Sequence, residues 1–367
     1  MGPPKPYRVD VSDAQISDLR ERLARTRFPD EPPLEPWSTG TSLAYLRELV
    51  GYWKDRFDWR AQETRINSLR QYTLPIGGID VHFIHEPARD PRAMPLLLMH
   101  GWPGSIVEFL ELIPLLRGRF TIVAPSLPGY TLSFRPGQPR FGVEEIADLL
   151  AELMRRLGYE RFGAQGGDWG GFIASRLAAE YPERLTGIHL NLLAVRRDPK
   201  IPAASPEEQA YLAELARWLK EETGYQWIQG TKPQTLAYAL NDSPAGLAAW
   251  ICEKFHRWSD HDGSLETAIA REAMLANISL YWFTGAIGSS FWPYYARLHR
   301  GWPFDTVGVP TGYAEFPREI LRPPRSLAEK TYTNLQRWTV MEKGGHFAAL
   351  EQPRALAEEV SEFFGRL

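Results

Sequence analysis

The sequence predicts a mostly parallel α/β sheet, interrupted by a helical insertion and preceded by a helical N-terminal segment. Three observations carry this. From about residue 71 short apolar runs alternate with amphipathic helical patterns, the signature of a parallel sheet with crossover helices. The alternation stops near Val195, gives way to helices rich in Trp and Tyr, and resumes after about residue 300. The first ~75 residues show helical rather than strand periodicity.

The elements follow in order. Ser12-Asp13-Ala14-Gln15 is a capping box, with Ile16, Leu19 and Leu23 at helical spacing behind it. After a Pro-rich connection from Pro29 to Pro36, Leu43 to Phe57 reads as a helix with Tyr45, Leu46, Leu49, Val50 and Trp53 on its apolar side. Gln71 to Pro75 and Ile79 to His85 flank Gly77-Gly78, a hairpin signal. Strands are expected at Pro95 to Met99, Phe120 to Ala124, Arg161 to Gln165, Thr186 to Leu190, Val307 to Tyr313 and Gln336 to Met341. Helices are expected at Glu108 to Leu116, Val143 to Leu157, Phe172 to Ala179 and Pro353 to Phe364. The segment Ala273 to Ala296 has no charge, but Asn277, Thr284, Gly285, Gly288 and Pro293 make it a poor spanning helix. It reads as a buried aromatic wall around an apolar cavity. The division expected is a meander over 1–75, the first part of the core over 76–195, a helical cap over 196–300 and the rest of the core over 301–367.

At 367 residues, with 44% hydrophobic and 24% charged residues, the chain is of ordinary composition for a globular enzyme. Its formal net charge of -3 gives no electrostatic case for nucleic acid or an anionic membrane. The lone Cys252 cannot form an internal disulfide, and no Cys/His spacing suits a metal, so neither metal nor cofactor is expected. Met1 to Pro6 lacks the apolar stretch of a signal peptide, and a cytoplasmic location is expected.

The chemistry centres on Gly166-Gly167-Asp168-Trp169-Gly170, which reads as a nucleophile elbow with aspartate in the usual serine position. A carboxylate attacking an acyl carbon would give an unstable anhydride. One attacking a saturated carbon gives an ester that water can cleave. Asp168 therefore points to an electrophilic sp3 carbon, as in an epoxide or an alkyl halide. His346, in Gly344-Gly345-His346-Phe347 after the last strand, would activate the water. Nucleophile, acid and base then follow the chain order of an α/β-hydrolase. Glu315 and Glu319 both follow the penultimate strand and remain alternatives for the acid, while Asp305 precedes it. His100-Gly101-Trp102-Pro103-Gly104 ends a buried strand in a turn, which makes the N–H groups of Trp102 and Trp169 the oxyanion-hole candidates. Epoxide opening also needs a proton donor, for which Tyr225, Tyr238, Tyr281, Tyr294 and Tyr295 all remain open.

These residues resemble the microsomal-type epoxide hydrolase family, which includes the juvenile hormone epoxide hydrolases. The resemblance runs through His100 to Ser105, Gly166 to Gly170, Glu222-Thr223-Gly224-Tyr225, Asn241 to Pro244, Ser289-Ser290, Val309 to Gly312, Phe316-Pro317-Arg318-Glu319 and Gly344 to Ala349, nearly the whole chain in family order. It implies that Glu319 is the acid and that Tyr225 and Tyr294 hold the epoxide oxygen. Phe291-Trp292-Pro293 departs from the Arg-containing sequence usual before the second tyrosine, which keeps Tyr295 as a fallback. The first ~75 residues match the family's meander. The membrane-anchoring helix of mammalian members is absent from the sequence, which implies a soluble protein.

The expected reaction is hydrolysis of an apolar or aromatic epoxide to a vicinal diol through an Asp168 ester, with a small-molecule epoxide as the partner. A homodimer is compatible with the sequence. Two other functions compete with this reading. A haloalkane dehalogenase shares the aspartate elbow, but typically carries Asn where Trp102 stands and leaves the tyrosine pair unexplained. A non-catalytic binder of apolar ligands would need none of Asp168, Glu319 and His346.

Overall fold

The computed structural model describes residues 2–196 and 203–367. Nine strands among them build one sheet: β1 Lys5–Tyr7, β2 Gln71–Ile76, β3 Ile79–Glu86, β4 Pro95–Met99, β5 Thr121–Pro125, β6 Phe162–Gly166, β7 Leu185–Leu190, β8 Thr311–Glu315 and β9 Leu335–Val340. Their spatial order is β1-β2-β3-β5-β4-β6-β7-β8-β9. The first three strands pair antiparallel, β3 joins β5 antiparallel, and every pair from β5 to β9 is parallel. The central strands are short and apolar, as burial on both faces requires; every residue of β5 and β6 is buried. Gly77 and Gly78 both take positive φ between paired Ile76 and Ile79, as a two-residue hairpin of matching twist demands.

Helices Val143–Arg156 and Asp168–Glu180 pack together, as do Leu112–Leu116 and Pro353–Phe364. Between β7 and β8 the chain leaves the sheet for seven helices among the described residues, from Pro206–Glu221 to Trp292–Arg300. This insertion is the cap. Its helix Arg271–Thr284 is buried from Met274 to Tyr281 and stops at Gly285, in the left-handed conformation glycine adopts freely. Among the described residues no helix is long and apolar enough to cross a membrane.

Several boundaries differ from the sequence reading. Lys5–Tyr7 adds an edge strand, and Trp59–Ile66 is a third N-terminal helix. Pro114 and a turn at Ile106–Phe109 break up the helix expected over Glu108 to Leu116. The strand expected at Val307 begins at Thr311, with Val307 left as an isolated bridge to Tyr332.

The N-terminal helices reach beyond the sheet to the cap. Trp53 Nε1 donates to Ser279 Oγ at 3.1 Å, Thr41 Oγ1 donates to the Ala249 carbonyl at 2.6 Å, and Arg271 pairs with Glu48 at 2.9 Å. Helix Arg271–Thr284 continues the chain of contacts inward. Asn277 Nδ2 and the Tyr281 hydroxyl donate to the Pro103 and Gly104 carbonyls at 2.8 and 2.7 Å.

Candidate active site

Four candidate groups converge because each follows the C-terminal end of a parallel strand, where α/β sheets place ligands. β4 feeds the Trp102 turn, β6 Asp168, β8 Glu319 and β9 His346.

Asp168 is the first residue of helix Asp168–Glu180 and has φ of +48°. A non-glycine residue held there costs on the order of 1–3 kcal/mol, which the surrounding packing must sustain. The helix can begin this sharply because Gly170 lies against the Met99 carbonyl, where a Cβ would collide. The helix therefore starts four residues before the expected Phe172.

Asp168 Oδ1 accepts from the Trp102 N–H at 2.7 Å, and His346 Nε2 stands 3.4 Å from Asp168 Oδ2. Trp169 is the second helical residue, so its N–H has no intrahelical acceptor. The Trp102 turn is pinned from behind. His100 Nε2 accepts from the Leu127 N–H at 3.1 Å, which makes Nδ1 the donor to the Gly101 carbonyl at 3.0 Å. Burial pushes the His100 pKa down to about 4, so this brace is a neutral imidazole.

On its other side His346 Nδ1 lies 2.6 Å from Glu319 Oε1, with both side chains buried. The alternatives left open in the sequence separate here. Glu315 is the last residue of β8 and accepts from Trp338 Nε1 at 2.8 Å. Glu319 is brought to the histidine loop because Arg318 N–H donates to the Gly344 carbonyl at 3.1 Å. The His346 N–H donates to the Trp258 carbonyl at 2.9 Å, which ties the same loop to the cap. Burial disfavours a charged His346, but Glu319 and Asp168 outweigh it and hold the imidazole pKa well above its ordinary value.

A cavity of about 360 Å³ opens on Asp168 and is walled by Trp169, Phe172, Leu192, Trp218 and Trp302 among others. Tyr225 and Tyr294 line it, with ring centroids 5.6 Å apart. Tyr225 stacks on Trp102, and Lys254 Nζ sits 4.5 Å from its ring centroid. The Tyr225 oxygen accepts from Gln226 Nε2 at 2.9 Å, so its own proton is free for a ligand. The Tyr294 hydroxyl lies within reach of Trp169 and Tyr225 but makes no hydrogen bond of good geometry among the described residues. Burial raises both phenol pKa values, so both hydroxyls are protonated donors. The other three candidate tyrosines are elsewhere: Tyr238 is exposed, Tyr281 serves Gly104, and Tyr295 stacks between Trp292 and His299. Sequence reasoning did not single out Gln226, Lys254 or Glu108. No spacing signal marks the first two, and Glu108 falls in a segment expected to be an ordinary helix.

A family model described as epoxide hydrolase N terminus matches residues 4–109, and one described as alpha/beta hydrolase fold matches residues 94–243. Epoxide hydrolase 1 of Oryctolagus cuniculus is 37% identical, over 98% of this chain and 88% of its own length. The chain belongs to the epoxide hydrolase family. Two solved structures agree across the molecule. Epoxide hydrolase of Aspergillus niger superposes with a TM-score of 0.87 at 32% identity, covering 99% of this chain and 96% of that one. Juvenile hormone epoxide hydrolase from the silkworm Bombyx mori reaches 0.91 at 33% identity, covering 99% and 94%. The enzyme is thus an epoxide hydrolase on an α/β-hydrolase fold with a helical cap.

Proposed function

We propose that the enzyme opens an apolar epoxide through a covalent ester on Asp168. The observation that carries this is the placement of one carboxylate between the Trp102 amide, His346 Nε2 and a tyrosine-lined apolar cavity. Tyr225 and Tyr294 donate to the epoxide oxygen as it gains charge. Asp168 Oδ2, the oxygen not engaged by Trp102, attacks a ring carbon, and the C–O bond to the epoxide oxygen breaks.

Ester formation removes the Asp168 charge, which is part of what keeps the proton on His346. The imidazole then gives up its proton, which offsets the one taken up by the opened epoxide oxygen, and is a free base at the stage that needs one. It then takes a proton from water as that water attacks the Asp168 carbonyl carbon, while Glu319 stabilises the imidazolium. The oxyanion is met by the Trp102 and Trp169 N–H groups. Collapse of the tetrahedral intermediate breaks the bond between the Asp168 carboxyl carbon and Oδ2, which leaves as one hydroxyl of the vicinal diol.

His346→Gln is the direct test. In single turnover with an apolar epoxide it should accumulate a protein adduct of the substrate's mass on Asp168. An inactive variant with no adduct would sink the mechanism. Release of halide from bromoalkanes without diol formation from epoxides would instead favour dehalogenase chemistry.

A further inference from the structure

A second cavity lies behind the nucleophile. It measures about 20 Å³, and its wall includes Trp102, Glu108, Gln165, Asp168, Asn191 and His346. One water needs roughly 10–15 Å³ of such space, so this chamber holds about one. Among the described residues, Asp168 alone has atoms that line both this chamber and the substrate cavity. Tyr225 and Tyr294 face only the substrate side, and His346 and Glu108 only the chamber.

The polar groups of the chamber are mostly engaged. Both His100 nitrogens are used by the backbone, Gln165 Nε2 donates to Asn191 Oδ1 at 2.9 Å, and Asp168 Oδ1 is held by Trp102. The Glu108 carboxyl accepts from the Ser105 backbone and keeps lone pairs for a further donor. It lies directly over Gly104, in space that a Cβ at that position would occupy. It stands close enough to both Asp168 and His346 to feel their charges.

We propose that Glu108 is the positioning residue for hydrolysis: it accepts a hydrogen bond from the chamber water and aims that water at the Asp168 ester. The proposal rests on the ester reading above. The water presents one O–H to His346 Nε2 and the other to Glu108, which leaves an oxygen lone pair directed at the ester carbon. As the O–C bond forms, the first proton passes to His346 and the second stays on oxygen. The tetrahedral intermediate then breaks the bond from the Asp168 carboxyl carbon to Oδ2, which leaves on the substrate with the proton held by His346. Asp168 is left as a carboxylic acid carrying the water's oxygen, and its proton passes to His346 to restore the resting pair. Burial pushes the Glu108 pKa up to about 8, so near neutral pH it is a carboxylic acid whose carbonyl oxygen accepts without a second negative charge beside Asp168.

The test separates the two chemical steps by single-turnover kinetics, reading ester formation and ester decay by intact-protein mass. Glu108→Leu removes the acceptor at similar size, and Glu108→Gln restores one. Gly104→Ala keeps the glutamate but pushes its carboxyl from its seat. The expected result is decay slowed by roughly a hundredfold in Glu108→Leu, the cost of losing alignment, with ester formation unchanged. Glu108→Gln should decay at close to the native rate, and Gly104→Ala should be slowed at the decay step alone. Equal slowing of both steps in Glu108→Leu and Glu108→Gln, or unchanged decay in Glu108→Leu and Gly104→Ala, would overturn the role of Glu108. Absence of any adduct in every variant, with His346→Gln as the control, would overturn the ester reading itself.

Discussion

Tyr294→Phe should make the enzyme slower and more stable at once. The Tyr294 hydroxyl is buried and makes no hydrogen bond of good geometry among the described residues. Burying a hydroxyl without a partner costs about 1–3 kcal/mol, and phenylalanine keeps the ring that packs on Trp169 and Trp102. The variant should therefore gain about 1 kcal/mol. Unfolding entropy for a chain of this length is about 0.8 kcal/mol/K, so the melting temperature should rise by only about 1 °C. Differential scanning calorimetry or denaturant titration resolves such a change. Catalysis should move the other way, because one of two donors to the developing alkoxide is lost. Ring opening should slow by roughly a hundredfold, the scale of one removed oxyanion donor. Tyr225→Phe should show a similar kinetic loss without the gain, since it strips Gln226 Nε2 of its acceptor. A Tyr294→Phe protein that is clearly destabilised, or that opens epoxides at the native rate, would refute the reading of this hydroxyl as a donor awaiting a ligand.

Glu319→Gln should slow ester decay by roughly ten-thousandfold through loss of the His346 tautomer and charge partner, with a smaller effect on ester formation, measured by adduct mass against time. Acid stability should be limited by buried neutral histidines. Burial depresses the pKa of His82 to about 3 and those of His100 and His189 to about 4, so their contribution is present above pH 6.5 and is lost as pH falls toward those values. At about 1.4 kcal/mol per pKa unit, His100 alone contributes about 3 kcal/mol, and stability measured between pH 7 and 4 should fall steeply. Gly170→Ala should cost several kcal/mol, on the order of a severe overpacking error, because its methyl group meets the Met99 carbonyl; urea unfolding would show it.

Much of the sheet was legible because its central strands are apolar runs bounded by turn residues, and because Gly77-Gly78 admits few structures other than a hairpin. The elbow was legible for the same kind of reason: glycines crowd around one acidic residue. Those glycines also hid the helix start. They disfavour helix by intrinsic propensity, yet here they are what lets the first turn press against β4. The choice between Glu315 and Glu319 was not a local property of either. It depends on one backbone hydrogen bond from Arg318 to Gly344, two segments that no pattern in the sequence pairs. The tyrosines pose the same problem on helices, where adjacent Tyr294 and Tyr295 face in different directions. Their selection came from resemblance; the structure places Tyr225 and Tyr294 on the cavity wall. Glu108 could not be seen at all, since a glutamate in an expected helix reads as surface.

The contacts from Trp53 through Ser279 to the carbonyls of Pro103 and Gly104 have a consequence for traffic. A lid hinged only at its two chain crossings could swing, admit a bulky epoxide and close over it. This cap is held at its outer side by the N-terminal helices and at its inner side by the very turn that presents the Trp102 amide. Lifting it would disturb that amide along with the tyrosines. A cap so held favours binding without a hinged opening, and the fit of an epoxide to the cavity beside Asp168 then governs the choice among substrates.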